Sequence, residues 1–256
     1  MLYVEEPGGK GETLIFVHGL GGSVNTWHPQ IQVLKRDRRL ICYDLAGSGR
    51  SPVTDGISIE SHVADLVRVI EQSGAKTVHL AAHSMGTIIC QHLAAKAPET
   101  VASMMLVGAF AEPPEPARQA LRDRAAAARA DGMRKIADAV SAAGTAADIK
   151  INQPTAVAFA RESLMAQNPE GYARNCEALS NAVSADLGAI RCPTLLITGE
   201  EDRTAPVAVG RALASAIPNA ELQLLPGCGH WAPIERPKQV NYAMSLFTAR
   251  LRRKTA

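Results

Sequence analysis

Ala82-His83-Ser84-Met85-Gly86 stands between two segments of opposite character. Before it, Thr77-Val78-His79-Leu80-Ala81-Ala82 is short and mostly apolar, the pattern of a buried strand. After it, Thr87 to Ala97 carries Ile88, Ile89, Leu93 and Ala94 on a helical period. The chain must therefore turn sharply from strand to helix at Ser84. Such a turn is crowded and admits only small residues two before and two after its centre, where Ala82 and Gly86 stand. Glycine at both places is the usual form of a nucleophile elbow, so Ala82 makes this a variant. An ordinary loop serine can share the pattern, and the rest of the chain has to decide.

A serine hydroxyl is a weak nucleophile and needs an adjacent base to take its proton. Behind an elbow of this type an acid and then a histidine follow in chain order. Thr194-Leu195-Leu196-Ile197-Thr198 reads as a buried strand, followed by Gly199-Glu200-Glu201-Asp202-Arg203-Thr204-Ala205-Pro206. Glu221-Leu222-Gln223-Leu224-Leu225 reads as the next strand, followed by Pro226-Gly227-Cys228-Gly229-His230-Trp231. Asp202 and His230 thus fall on loops at the carboxyl ends of strands, the edge where reactive groups gather in open α/β sheets.

With His18-Gly19-Leu20-Gly21-Gly22 and Asp44-Leu45-Ala46-Gly47-Ser48-Gly49-Arg50-Ser51, these motifs make the chain resemble the α/β-hydrolases of the small esterase, lactonase and haloperoxidase-like group. The resemblance spans about residues 13 to 240, apart from an insert. It implies a mostly parallel sheet of seven or eight strands with helices on both faces and a helical lid inserted after the sixth strand in family counting. It implies a catalytic triad of Ser84 as nucleophile, His230 as base and Asp202 as orienting acid. Asp202 is preferred for its spacing from Gly199 and Pro206. Glu200 and Glu201 compete with it, and some relatives place the acid where Glu112 stands. His83, beside the serine on a tight turn, is expected to point away and pack beneath the sheet. The backbone N–H groups of Leu20 and Met85 are the expected oxyanion donors. His18 is expected to hold the glycine-rich loop by hydrogen bonding. Neither Gly-x-Gly-x-x-Gly nor Gly-x4-Gly-Lys-Ser/Thr occurs, so that loop is a poor phosphate site.

The segment Asn168 to Leu179 is similar to the lid of 3-oxoadipate enol-lactonases, which implies a small ester or lactone substrate, one that can bear a carboxylate. Arg161 and Arg174 are the lid arginines that could pair with it. Trp27, Phe159 and Trp231 complete the expected substrate contacts. Four other readings stand beside this one: C–C bond hydrolysis of ring-cleavage diketones, perhydrolysis, a ligand receptor on the same scaffold, and a neutral ester in place of an acidic one.

With 256 residues, 46% of them hydrophobic, the chain suits one α/β domain with an insert. A net charge of +2, spread along the chain, gives no reason to expect nucleic acid. The basic Arg250-Leu251-Arg252-Arg253-Lys254 reads as a solvated helix end. Cysteines at 42, 90, 176, 192 and 228 form no Cys-x-x-Cys pair. Cys42, Cys90 and Cys192 sit in apolar runs and read as buried thiols of a reducing compartment. Cys228 reads as a small loop residue near His230. No secretory-signal pattern opens the sequence and no apolar run approaches bilayer length, so a cytoplasmic protein is expected. No metal-ligand spacing occurs, and neither metal nor other cofactor is expected.

Strand-like and helix-like runs alternate up to Phe110, which argues for a parallel sheet covered on both faces. Ser58 to Ser73 reads as an amphipathic helix ended by Gly74. Only Leu2 to Glu5 can serve as a strand before Thr13, so one edge strand of the family's sheet is expected to be missing. Glu112-Pro113-Pro114-Glu115-Pro116 is a hinge, and Ala117 to about Asp186 is helical in composition. The chain thus divides into a core, residues 1–111 and 189–256, and a helical lid, residues 112–188.

Overall fold

The computed structural model describes residues 1–255. Seven strands form one sheet among them: β1 (Val4–Gly8), β2 (Thr13–Val17), β3 (Arg39–Tyr43), β4 (Val78–His83), β5 (Val101–Val107), β6 (Thr194–Gly199) and β7 (Ala220–Leu225). Their order is β1-β3-β2-β4-β5-β6-β7, with β1 antiparallel and the rest parallel. The central strands are buried from end to end, as a sheet covered on both faces requires. β1 lies later in the chain than Leu2 to Glu5. Val4 and Glu5 pair with Tyr43 and Cys42, the register then shifts, and Gly8 pairs with Leu40. An edge strand tolerates Pro7, and its Glu5 and Glu6 discourage further pairing.

Side-chain alternation along the strands splits the apolar core in two. Leu14, Phe16, Leu40 and Cys42 face one side, where α1 (His28–Leu34) and α11 (Pro237–Thr255) add Ile31, Leu34, Val240, Met244 and Phe247. Ile15, Val17, Ile41 and Leu80 face the other, under α2 (Ile59–Ser73), α3 (Met85–Lys96) and α9 (Val207–Ala216). α2 starts where the Ser58 hydroxyl accepts from Ser61 N–H at 3.1 Å, and it stops at Gly74 with φ 69°.

Between β5 and β6 the chain forms α4 (Glu115–Asp131), α5 (Arg134–Gly144), α6 (Ala147–Asn152), α7 (Pro154–Met165) and α8 (Pro169–Ser180). Pro114 precedes α4, and Pro116 stands in its first turn, where a missing N–H costs nothing. Leu121, Ala125 and Ala128 of α4 join Tyr172, Ala173, Cys176 and Leu179 of α8 in the α3-side core. Polar ties fasten this layer to the sheet loops. Ser163 Oγ donates to Gly21 O at 2.8 Å, and Asn175 Nδ2 donates to Ala46 O at 2.9 Å. α10 (Ala232–Glu235) is a single turn that follows the loop carrying His230.

Candidate active site

Ser84 sits between β4 and α3 at φ 53° and ψ −122°, a conformation that costs a residue with a Cβ on the order of 1–3 kcal/mol. Hydrogen bonds over-determine it: Ser84 N–H donates to Val107 O at 3.0 Å, and Thr87 donates twice to Ser84 O. Gly86 is needed for packing, because a Cβ there would lie 2.5 Å from Val17 O and 2.6 Å from His18 O. The turn leaves the Ser84 hydroxyl on the wall of a cavity of about 760 Å³ that lies between the sheet edge and the helices after β5. A smaller hollow of about 370 Å³ between β7 and α11 contains none of these groups.

The three loops at the carboxyl edge converge. The Ser84 hydroxyl bonds to His230 Nε2 at 2.8 Å, and His230 Nδ1 bonds to Asp202 Oδ2 at 2.8 Å. The other Asp202 oxygen accepts from Thr204 N–H and Ala205 N–H, each at 2.8 Å. The carboxylate is therefore the proton acceptor at Nδ1, which leaves Nε2 free to accept from the serine. Burial opposes charge on both groups. For His230, the Asp202 charge and hydrogen bond outweigh burial, with Glu235 adding, and its pKa stands above the ordinary imidazole value. For Asp202, burial is outweighed by His230 and the two backbone N–H donors, and its carboxyl stands below the ordinary range. Of the other acidic candidates, neither Glu201 nor Glu112 bonds to His230, although Glu112 lines the same cavity. Glu201 accepts from Ala147 N–H, and Glu112 pairs with Arg118 at 3.1 Å.

Leu20 lines the cavity, and Met85 opens α3 directly after the serine. Neither N–H donates to another described residue. His18 bridges the loops after β2 and β3: Nδ1 donates to Gly19 O at 2.8 Å and Nε2 accepts from Leu45 N–H at 3.0 Å. Burial pushes its pKa down, which fits a neutral ring in that bridge.

Several expected contacts fall elsewhere. His83 does not pack beneath the sheet. Its ring lies 5.0 Å from that of His230 and 5.6 Å from Trp231, and Nε2 donates to His230 O at 2.8 Å. Burial and the neighbouring His230 push His83 down to about 3, so it stays neutral as that donor. Trp27 is no substrate contact: it is fully buried in the α1-side core with its ring 5.0 Å from Phe16. Arg161 points to Asp138 at 2.6 Å and Arg174 to Glu170 and Asp55, each at 2.7 Å. Both are paired outside the cavity, and half-buried Phe159 is likewise absent from its wall. Trp231 alone of the five expected substrate contacts lines it. Cys228 is buried, with its thiol pushed up chiefly by that burial, and has no place in the wall.

Glu235 lies outside every motif that points to the site, yet it supports the histidine loop. Its carboxylate is fully buried and accepts three backbone N–H groups: Gly229 and Ala146 at 2.9 Å and Trp231 at 2.8 Å. Gly229 and Trp231 flank His230, and Ala146 follows α5. Glu235 and the His230 N–H, which donates to Gly144 O at 2.7 Å, together fix the histidine loop to the helical layer. A carboxylate five residues beyond the histidine, in a proline-flanked turn, was the available signal. Ile136 and Val140 of α5 also line the cavity, and a helical period by itself does not say which face meets it.

Among the described residues no three His, Cys, Asp or Glu side chains cluster as a metal site, and no helix is long and apolar enough to cross a membrane. The family model for the alpha/beta hydrolase fold matches residues 12–237. A Variovorax paradoxus protein named carbamate hydrolase RutD is 30% identical over 249 residues, covering 94% of this chain and 93% of the relative. A thermophilic esterase of Thermogutta terrifontis superposes with TM-score 0.93 at 27% identity, over 98% of this chain and 93% of that one. The enol-lactonase of Burkholderia xenovorans LB400 superposes with TM-score 0.91 at 29% identity, over 97% and 96%. By sequence and by fold, the chain belongs to the α/β-hydrolase family.

Proposed function

We propose that this protein is a serine hydrolase that splits a small carboxylic ester or lactone through an acyl-enzyme. The observation that carries the reading is the unbroken hydrogen-bonded line Asp202–His230–Ser84 ending in a mostly apolar cavity. Ser84 Oγ attacks the acyl carbon while His230 Nε2 takes its proton. Asp202 stabilises the resulting imidazolium and holds its tautomer. The Leu20 and Met85 N–H groups donate to the oxygen that gains charge; preorganised donors of this kind contribute about 3–4 kcal/mol each. The intermediate collapses, and Nε2 returns the proton to the leaving oxygen, which in a lactone stays tethered to the acyl group. Water, deprotonated by His230, then releases the acid and restores Ser84.

The helices within residues 112–188 act as a lid that shapes specificity and leaves the chemistry to the sheet loops. The relatives named as carbamate hydrolase, esterase and enol-lactonase support attack on an acyl carbon as the common step. The protein is read as cytoplasmic, a reading supported by five unpaired, buried cysteines. The test combines a fluorophosphonate with short p-nitrophenyl esters and enol-lactones. One label should add, at Ser84, and Ser84→Ala should lose on the order of 10⁶ in kcat with the fold intact. Labelling elsewhere, or an active Ser84→Ala, refutes the assignment. Binding without turnover would make the protein a receptor.

A further inference from the structure

Four arginines stand on α4, and three are paired: Arg118 with Glu112, Arg122 with Glu115, and Arg129 with Glu170 and Glu177. Arg124 has no carboxylate partner among the described residues, and its half-buried side chain lines the cavity over Ser84. Tyr172 of α8 lines the same cavity. It is 1% exposed, and its hydroxyl has no hydrogen-bond partner among the described residues. Burial raises the phenol pKa, and the Arg124 charge works against that rise; α4 and α8 pack against each other, which brings both side chains to one cavity wall. A Cβ on Gly21 would lie 3.4 Å from Tyr172 Cε2, so Tyr172 stands against the loop that carries Leu20.

The other charged groups on the cavity wall do not neutralise Arg124. Glu112 is taken by Arg118, Lys135 pairs with Asp131, and Arg203 adds a further, exposed positive charge. Leu121 and Leu179 make the surroundings apolar. A guanidinium without a counter-ion and a buried hydroxyl without an acceptor are both unfavourable in such a place. One ligand group relieves both: a carboxylate takes two guanidinium N–H bonds as a fork and accepts the phenol O–H on an oxygen.

We propose that Arg124 and Tyr172 form a carboxylate subsite, so that the ester or lactone bound over Ser84 carries a free carboxylate. This deepens the hydrolase reading and rests on it. Two measurements test it. In turnover, the kcat/KM ratio of mono-p-nitrophenyl glutarate to p-nitrophenyl valerate should exceed one in the wild type. It should fall at least about tenfold in Arg124→Met and about threefold in Tyr172→Phe, with Arg124→Lys between. In binding, calorimetric titration of glutarate into Ser84→Ala should saturate and weaken at least about tenfold when Arg124→Met is added, in protein with unchanged circular dichroism. The titration needs no turnover. If no ester is hydrolysed, the hydrolase reading fails and the titration still decides the subsite. Glutarate binding indifferent to Arg124→Met, or a wild-type preference for valerate that Arg124→Met leaves unaltered, overturns the proposal.

Discussion

At Ser84 the hydroxyl can meet His230 only because a strained turn holds it there, with the imidazole 2.8 Å away. The His230 pKa gives that arrangement a measurable sign. Burial alone would lower it, and the Asp202 carboxylate lifts it above the ordinary value. As the base of the proposed reaction His230 must be neutral, so kcat/KM should rise with pH through a midpoint above that value. Asp202→Asn removes the charge and leaves burial in control. The acid limb should then move to lower pH, while the plateau falls on the order of 10⁴ as the wrong tautomer takes over. A pH–rate profile checks both, and an unmoved limb with a mild loss would return the acid's role to Glu112. Glu235→Gln tests a different support. Its amide would turn an N–H group toward a backbone donor, at a cost of about 1–3 kcal/mol. The expected outcome is a melting point lower by on the order of 5 °C and a kcat that falls more than KM rises. Restoration by Glu235→Asp would argue against this, since the shorter side chain cannot reach Gly229, Trp231 and Ala146 together.

Among elements, the helices after β5 are built into the site as well as laid over it. Leu164 of α7 is fully buried against Gly21, on the loop that carries Leu20. Leu164→Ala should cost about 2–5 kcal/mol in denaturant unfolding. It should also loosen that loop and lower kcat on every ester, neutral or acidic alike. α7 and α8 turn Arg161 and Arg174 outward to acidic neighbours. Arg161→Glu should therefore leave the preference between acidic and neutral esters within about twofold, since exposed pairs contribute roughly 0–1 kcal/mol. Kinetics on the same ester pair used for Arg124 make the comparison direct.

For the whole molecule, the sheet separates two apolar cores, and every cysteine is buried in or beside them. Burial raises Cys42, Cys90, Cys176, Cys192 and Cys228 above the ordinary thiol value. A thiol reagent should find almost none of them in the native protein and five per chain in denaturant. Rapid native reaction of even one would mean that a core opens more readily than this packing allows.

Strands β2 to β7, the helix ended by Gly74, the turn at Ser84 and the loops that carry Asp202 and His230 are legible in the amino-acid sequence alone. Each is written locally: a buried parallel strand is a short continuous apolar run, and the loop at its carboxyl end follows directly in the chain. The positions of Trp27, His83, Arg161 and Arg174 were settled only by tertiary structure. A side chain's distance along the chain does not say which way its strand, turn or helix points it, or which acid on a neighbouring element takes its charge. Glu235 and the Arg124–Tyr172 pair belong to that second class. Each joins elements far apart in sequence, and what marks them out, three converging N–H donors and an unpaired cation beside an unpaired hydroxyl, exists only once those elements have packed.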